Sequence, residues 1–203
     1  MTLIVKDLNE KILEEVAKRL REGESCIYPT ETCYGLGTNA VEEEAVRNIY
    51  SIKERNPSKK LSCIVSSIEK AEEYCNLTET EKRVCERFMP GPLTLVTEKK
   101  DSVPDILNKD FVFRISSNEV ANTLAKKAGV PIVATSANFS GTKGRYSIDD
   151  ISLVIRDRVD VILDYGKLDV KKPSTIAKIH KDGIDIFRQG PISKKQIEKF
   201  LSI

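Results

Sequence analysis

Residues 25–39 read SCIYPTETCYGLGTN, and the fold class turns on how that stretch is parsed. The apolar and aromatic run over residues 25–28 predicts a short strand. Pro29 ends it, because proline has no N–H to give a ladder. A polar, glycine-containing loop is expected from there through Asn39. It crowds the hydroxyls of Thr30, Thr32 and Tyr34 and the carboxylate of Glu31 behind a strand end. In an open α/β sheet that edge is where ligands bind. The other reading is a turn whose threonine hydroxyls bond their own backbone. The hexad Gly35-Leu36-Gly37-Thr38-Asn39-Ala40 fits G-x-G-x-x-[GA], but Pro29 to Tyr34 separate it from the strand and no acidic ribose ligand is evident further on. That argues against a dinucleotide turn. No G-x-x-x-x-G-K-[ST] occurs, which excludes a phosphate loop of that type.

Outward from this stretch, helices and strands interleave. Residues 9–21 predict a helix with Ile12, Leu13, Val16 and Leu20 on one face and Gly23 beyond its end. Residues 42–52 predict another, followed by a strand at 61–65 and helices at 68–74 and 79–88, the last with Thr78 and Glu81 in capping-box spacing. Strands are expected at 93–97, 111–115, 131–134, 159–163 and 175–179, the last turning through Lys181-Asp182-Gly183 into a hairpin over 184–187. Residues 118–128 predict a helix closed by Gly129, and a final helix starts at Ser193 with Gln196 in capping-box spacing. A loop of small and basic residues spans 140–146. No repeat or Pro/Ser-rich linker divides the chain. The expectation is one α/β domain over residues 1–203, a twisted mixed sheet flanked by helices.

Composition narrows the function. The 203 residues are 40% hydrophobic and 32% charged, which excludes a disordered or fibrous chain. Lys and Arg number 33 against 31 Asp and Glu, so any basic site must be local. One histidine, His180, disfavours a multi-histidine zinc site, and no metal site is predicted. The five cysteines, Cys26, Cys33, Cys63, Cys75 and Cys85, form no C-x-x-C pair and read as small buried hydrophobes in a reducing compartment. Without a signal segment or a membrane-length apolar run, the protein is expected in the cytoplasm, off the membrane.

Several polar clusters stand at predicted element ends. Lys53-Glu54-Arg55 closes the second helix, with Lys59 and Lys60 following. Such cations either complement the helix dipole or clamp phosphate, the guanidinium as a fork and the ammonium as a point charge. The strand in VPIVATSAN delivers Thr135, Ser136 and Asn138 at its C-terminal end. Arg114, at the end of FVFR, is either half-buried in an ion pair or aimed at an anionic ligand. Ser174 and Arg188 lie in PSTI and FRQGP.

Taken in order, YPTETCYGLG, K-E-R, PGPLTLV, FRISSN, TSAN, PSTIA and FRQGP resemble the YrdC/Sua5 family, over residues of about 25–191. The resemblance implies the YrdC-like fold and an ATP-dependent nucleotidyltransferase. Its products would be threonylcarbamoyl-AMP and pyrophosphate, made from L-threonine, bicarbonate and ATP for N6-threonylcarbamoyladenosine at position 37 of tRNA. The family's Lys, Arg, Ser, Asn tetrad maps onto Lys53, Arg55, Ser136 and Asn138 as the catalytic set. L-Threonine binding falls to Thr30, Thr32, Arg114 and Ser174. ATP binding falls to Lys53, Arg55, Lys59, Ser136, Asn138, Arg145 and Arg188, with Mg²⁺ travelling on the ATP. A tRNA contact, direct or through other proteins, and a downstream threonylcarbamoyl-transferase complex are the implied partners. The sequence departs from long family members where Ile64 replaces a histidine of P-L-I-V-H, and a separate C-terminal domain like theirs is not expected. Two other classes fit a basic face: a non-catalytic module for tRNA or double-stranded RNA, and a related carbamoyl-adenylate enzyme with another acceptor.

Overall fold

The structure, a computed structural model, describes residues 2–202. In chain order the elements are β1 (Leu3–Val5), α1 (Glu10–Arg21), β2 (Cys26–Pro29), β3 (Tyr34–Gly37), α2 (Glu43–Ile52), β4 (Cys63–Ile64) and α3 (Ile68–Glu72). There follow β5 (Cys75–Asn76), α4 (Glu79–Phe88), β6 (Leu93–Lys99), β7 (Phe111–Arg114), α5 (Glu119–Ala128), β8 (Ile132–Val133) and β9 (Thr135–Ser136). The chain closes with α6 (Leu153–Asp157), β10 (Val161–Leu163), β11 (Thr175–His180), β12 (Gly183–Arg188) and α7 (Lys194–Leu201).

The helix starts follow their sequence signals. Asn9 and Asn118 cap α1 and α5 by accepting from Ile12 N and Ala121 N, at 3.1 Å each. Both expected capping boxes form, Thr78 with Glu81 on α4 and Ser193 with Gln196 on α7. Gly129 ends α5 at φ 70°, a left-handed turn that glycine adopts without a Cβ clash. The α1 stripe packs as its spacing dictates. Leu13, Val16 and Leu20 are buried with Leu124 and Ala128 of α5 against Cys26, Tyr28, Val161 and Leu163. Each such side chain contributes about 1.5–3 kcal/mol on burial.

The architecture is α/β as expected, but the strands form two sheets. A five-stranded sheet runs β1-β10-β2-β3-β9, and a seven-stranded one runs β12-β11-β6-β7-β4-β8 with β5 added beside β6. Both mix parallel and antiparallel pairs. Residues 132–136 join them: β8 pairs with β4 of the larger sheet, and β9, one residue on, pairs with β3 of the smaller.

The glycine-rich stretch is also a strand, where a loop was expected. Tyr34–Gly37 pairs antiparallel with β2, Cys26 opposite Gly37 and Pro29 opposite Tyr34. Glycine weakens a strand unless another backbone must come close. Here it must: a Cβ on Gly37 would lie 2.1 Å from the Val133 carbonyl. The two sheets meet at that contact. The strands β1 and β5 and the helix α6 had no strong sequence signal, being three, two and five residues long.

Candidate functional site

A cavity of about 1010 Å³ opens where the sheets meet. Gly35 of β3 and Thr135 and Ser136 of β9 form one wall. Val96, Val112, Arg114, Ile176, Phe187 and Arg188 of β6, β7, β11 and β12 form the other. Seven basic side chains line it (Arg55, Lys60, Arg114, Lys143, Arg145, Lys171 and Arg188) against Asp110 and Asp150. The chain's charges nearly cancel overall, so this concentration is local and suits a polyanion.

The cationic residues are held in different ways. Lys53, at the C-terminal end of α2, is 1% exposed and stands behind the wall. Its ammonium donates to the backbone oxygens of Ser136 and of Asn138, the latter at 2.6 Å, and approaches Asn138 Oδ1 at 3.4 Å. Burial, and secondarily the Arg55 cation, bring its pKa down to about 7. Asn138 is itself a hub. Its amide nitrogen donates to the Thr142 and Lys143 carbonyls at 2.6 and 3.0 Å, and its Oδ1 accepts from the Ser136 hydroxyl. Lys53 and Asn138 therefore fasten the 136–143 segment instead of facing the cavity. Two residues on, Arg55 is half-buried and on the wall. Its Nε and Nη2 each donate at 2.8 Å, to the Lys59 and Lys60 carbonyls. Lys59 is exposed and off the wall, its Nζ 3.5 Å from Ser140 Oγ.

The remaining site residues cluster around Arg114 and Ser174 and in the Thr30 turn. Arg114 and Glu31 form a buried ion pair, Nε to Oε1 at 2.8 Å, with the side chains 7% and 10% exposed. Of the two readings of Arg114, the ion pair is present, and Arg114 still lines the cavity. Arg188 donates from Nε to the Ser174 carbonyl and from Nη2 to its hydroxyl, both at 2.9 Å. Burial first, and the neighbouring Arg114 charge second, lower its pKa. Ser174 Oγ also lies 2.9 Å from Thr94 Oγ1. Thr30 behaves as the turn reading requires: its hydroxyl donates to the Cys33 carbonyl at 2.7 Å and accepts from two backbone N–H groups. Thr32 Oγ1 lies 3.0 Å from the same hydroxyl.

The structure thus brings Thr30, Thr32, Arg55, Arg114, Ser136, Arg145, Ser174 and Arg188 to one cavity. It sets Lys53, Asn138 and Lys59 outside its lining. Thr94 and Lys143 are site neighbours with no sequence signal that sets them apart, and Thr135, expected at the strand end, lines the cavity although the sequence assigns it no role. Thr94 sits in PGPLTLV and Thr135 beside Ser136, so the signal was local but indistinguishable from ordinary strand threonines.

The Sua5_yciO_yrdC family, described as telomere recombination, matches residues 18–190. The chain belongs to that family. A Methanocaldococcus jannaschii protein is 38% identical over 197 residues, 94% of this chain and 94% of its own. A threonylcarbamoyl-AMP synthase of Pyrococcus abyssi is 32% identical over 209 residues, 99% of this chain but 61% of its own. The structure of Pyrococcus abyssi Sua5 complexed with L-threonine superposes with a TM-score of 0.88 at 30% identity, covering 99% of this chain and 61% of that one. This Sua5/YciO/YrdC chain therefore spans about three fifths of the Pyrococcus relative. Among its described residues no helix is long and apolar enough to cross a membrane. His180 lies on the β11–β12 hairpin, 2.9 Å from Asp185, and is no part of the cavity lining.

Proposed function

We propose that this protein is an L-threonylcarbamoyladenylate synthase. It converts ATP, L-threonine and bicarbonate into threonylcarbamoyl-AMP and pyrophosphate, for transfer to adenosine 37 of tRNA by a downstream complex. The observation that carries the reading is one cavity lined by Arg55, Arg114, Arg145 and Arg188 together with Thr32, Ser136 and Ser174, in a chain similar to a Sua5 crystallised with L-threonine. Five free cysteines and a role in tRNA modification fit the cytoplasm.

The chemistry needs positioning and charge neutralisation more than a covalent nucleophile. The threonine ammonium first gives up a proton, and the free amine then takes up bicarbonate with release of water, to give a carbamate. A carbamate oxygen then attacks the α-phosphorus, and pyrophosphate leaves as the P–O bond to it breaks. Mg²⁺ enters bound to ATP, as part of that substrate. Arg55 and Arg145, both on the wall, meet triphosphate oxygens, and Ser136 lies between nucleotide and amino acid. Arg114 takes the threonine carboxylate. Thr32 and Ser174 read its polar groups, with Thr30 shaping the turn that carries Thr32. Arg188, beside Ser174 and Arg114, holds the nucleotide where it approaches threonine. Lys53 and Asn138 act by holding Ser136 and the 140–146 loop in place.

Incubation of the protein with Mg-ATP, threonine and bicarbonate, followed by mass spectrometry, tests this directly. A new species with the mass of threonylcarbamoyl-AMP, absent without threonine or bicarbonate, is expected. Adenylate formed only with another amine would assign a different acceptor. RNA binding with no adenylate at all would overturn the enzyme.

A further inference from the structure

The Glu31–Arg114 pair has features that ion pairing alone does not require. Glu31 Oε1 and Arg114 Nε are both buried from solvent, yet neither has a properly directed hydrogen bond, although they stand 2.8 Å apart. Their attraction is therefore chiefly Coulombic, and it acts in a site of low exposure where such forces are strong. The other Glu31 oxygen accepts from the Ser116 hydroxyl. Ser116 is fully buried, and its Oγ accepts in turn from Asn118 N, at the cap of α5, at 3.2 Å. A rigid helix end thus holds Ser116, Ser116 holds Glu31, and Glu31 faces Arg114. Arg188 is near enough for Arg114 to depress its pKa. Without Glu31, two guanidinium groups would repel each other across this end of the cavity. With it, their net charge is that of a single cation, which matches one carboxylate. Arg114 lines the cavity and Glu31 does not.

We propose that Glu31, held by Ser116, is a positioning residue that aims Arg114 at the α-carboxylate of the amino-acid substrate. This rests on the reading that Arg114 binds that carboxylate, and the test separates the two. Pyrophosphate release is measured on the full chain while threonine and Mg-ATP are titrated separately, for Glu31→Gln, Ser116→Ala and Arg114→Lys. Glu31→Gln keeps the shape and removes the charge. It should raise KM for threonine about tenfold and leave KM for ATP within about twofold. Ser116→Ala should move the same constant in the same direction by less, and Glu31→Asp should recover part of the loss. A general weakening of the fold would not select one substrate in this way. An unchanged or lower threonine KM in Glu31→Gln, with a raised one in Arg114→Lys, overturns the positioning role alone. If Arg114→Lys also leaves the threonine KM unmoved, the carboxylate reading fails and takes the proposal with it. Should Glu31→Gln not fold, Ser116→Ala carries the test, since it keeps the charge pair and frees only the second oxygen.

Discussion

Lys53 and Arg114 are both buried basic side chains at the edge of one cavity, and they are accommodated in opposite ways. Lys53 has no carboxylate partner: its ammonium donates to backbone oxygens of Ser136 and Asn138 and to the Asn138 side chain. Arg114 has a full negative charge beside it and faces the cavity. The first arrangement makes a cation structural. Its donors are committed to the protein, and the segment bearing Ser136 is pinned around it. The second keeps a cation available, because a weakly directed ion pair leaves other guanidinium N–H groups for a ligand. Two buried basic side chains beside one cavity can thus do different jobs.

The sharpest way to break this contrast is to remove Lys53. Lys53→Ala leaves a buried cavity and two carbonyls without their donor. A loss of about 4 kcal/mol of folding stability is expected in urea melts, together with loss of turnover. Normal stability with absent turnover would return Lys53 to the phosphate. Arg55→Ala should show the reverse pattern. Arg55 sits on the wall and braces only exposed or half-buried carbonyls. Pyrophosphate release should fall about 100-fold, some 2.7 kcal/mol in the barrier, with stability changed by less than about 1 kcal/mol. A folded variant with normal turnover would restore the helix-dipole reading of this charge.

The proton on Lys53 sharpens the comparison further. Its folded pKa is about 7 against an ordinary 10.5, so between those values the unfolded chain holds a proton that the folded chain has lost. The neutral amine still carries two N–H donors for Ser136 and Asn138. Stability should therefore rise with pH from about 7 to 10.5, by at most about 1.4 kcal/mol per pH unit, and the Lys53 contribution should be flat below that window. Denaturant midpoints of wild type and Lys53→Met across this range would show it; parallel curves would refute it. The smallest effect is expected at Cys33, which lines the cavity and whose thiol pKa is raised by burial. A half-buried thiol held in its protonated form is a poor nucleophile, and no step of the proposed reaction needs one. Cys33→Ser should keep turnover within about twofold; complete loss in a folded protein would require a thiol role.

Local chemistry was legible in the sequence to the extent that its physics is local. Capping boxes at Thr78 and Ser193 and the stop at Gly129 depend on residues within one turn, so spacing alone placed α4, α5 and α7. The order of motifs likewise brought Arg114, Ser136, Ser174 and Arg188 into one expected site. What spacing could not convey is which atoms a buried side chain meets. Lys53 and Arg55 share a tripeptide, and only the approach of residues 136–138 makes one a brace and leaves the other on the wall. Thr30 offered two readings, and the backbone of its own turn took the hydroxyl.

The sequence by itself determined the α/β class, the placement of the longer, capped helices and the inventory of cations and hydroxyls, because amphipathic period, capping and side-chain chemistry are carried by neighbours along the chain. The tertiary structure alone decided that the strands form two sheets, that YGLG is a strand, and that a cavity opens between them. Those outcomes rest on contacts between distant segments, above all the bare Cα of Gly37 against the Val133 carbonyl. There the missing side chain, a poor strand former when judged locally, is what lets two backbones approach.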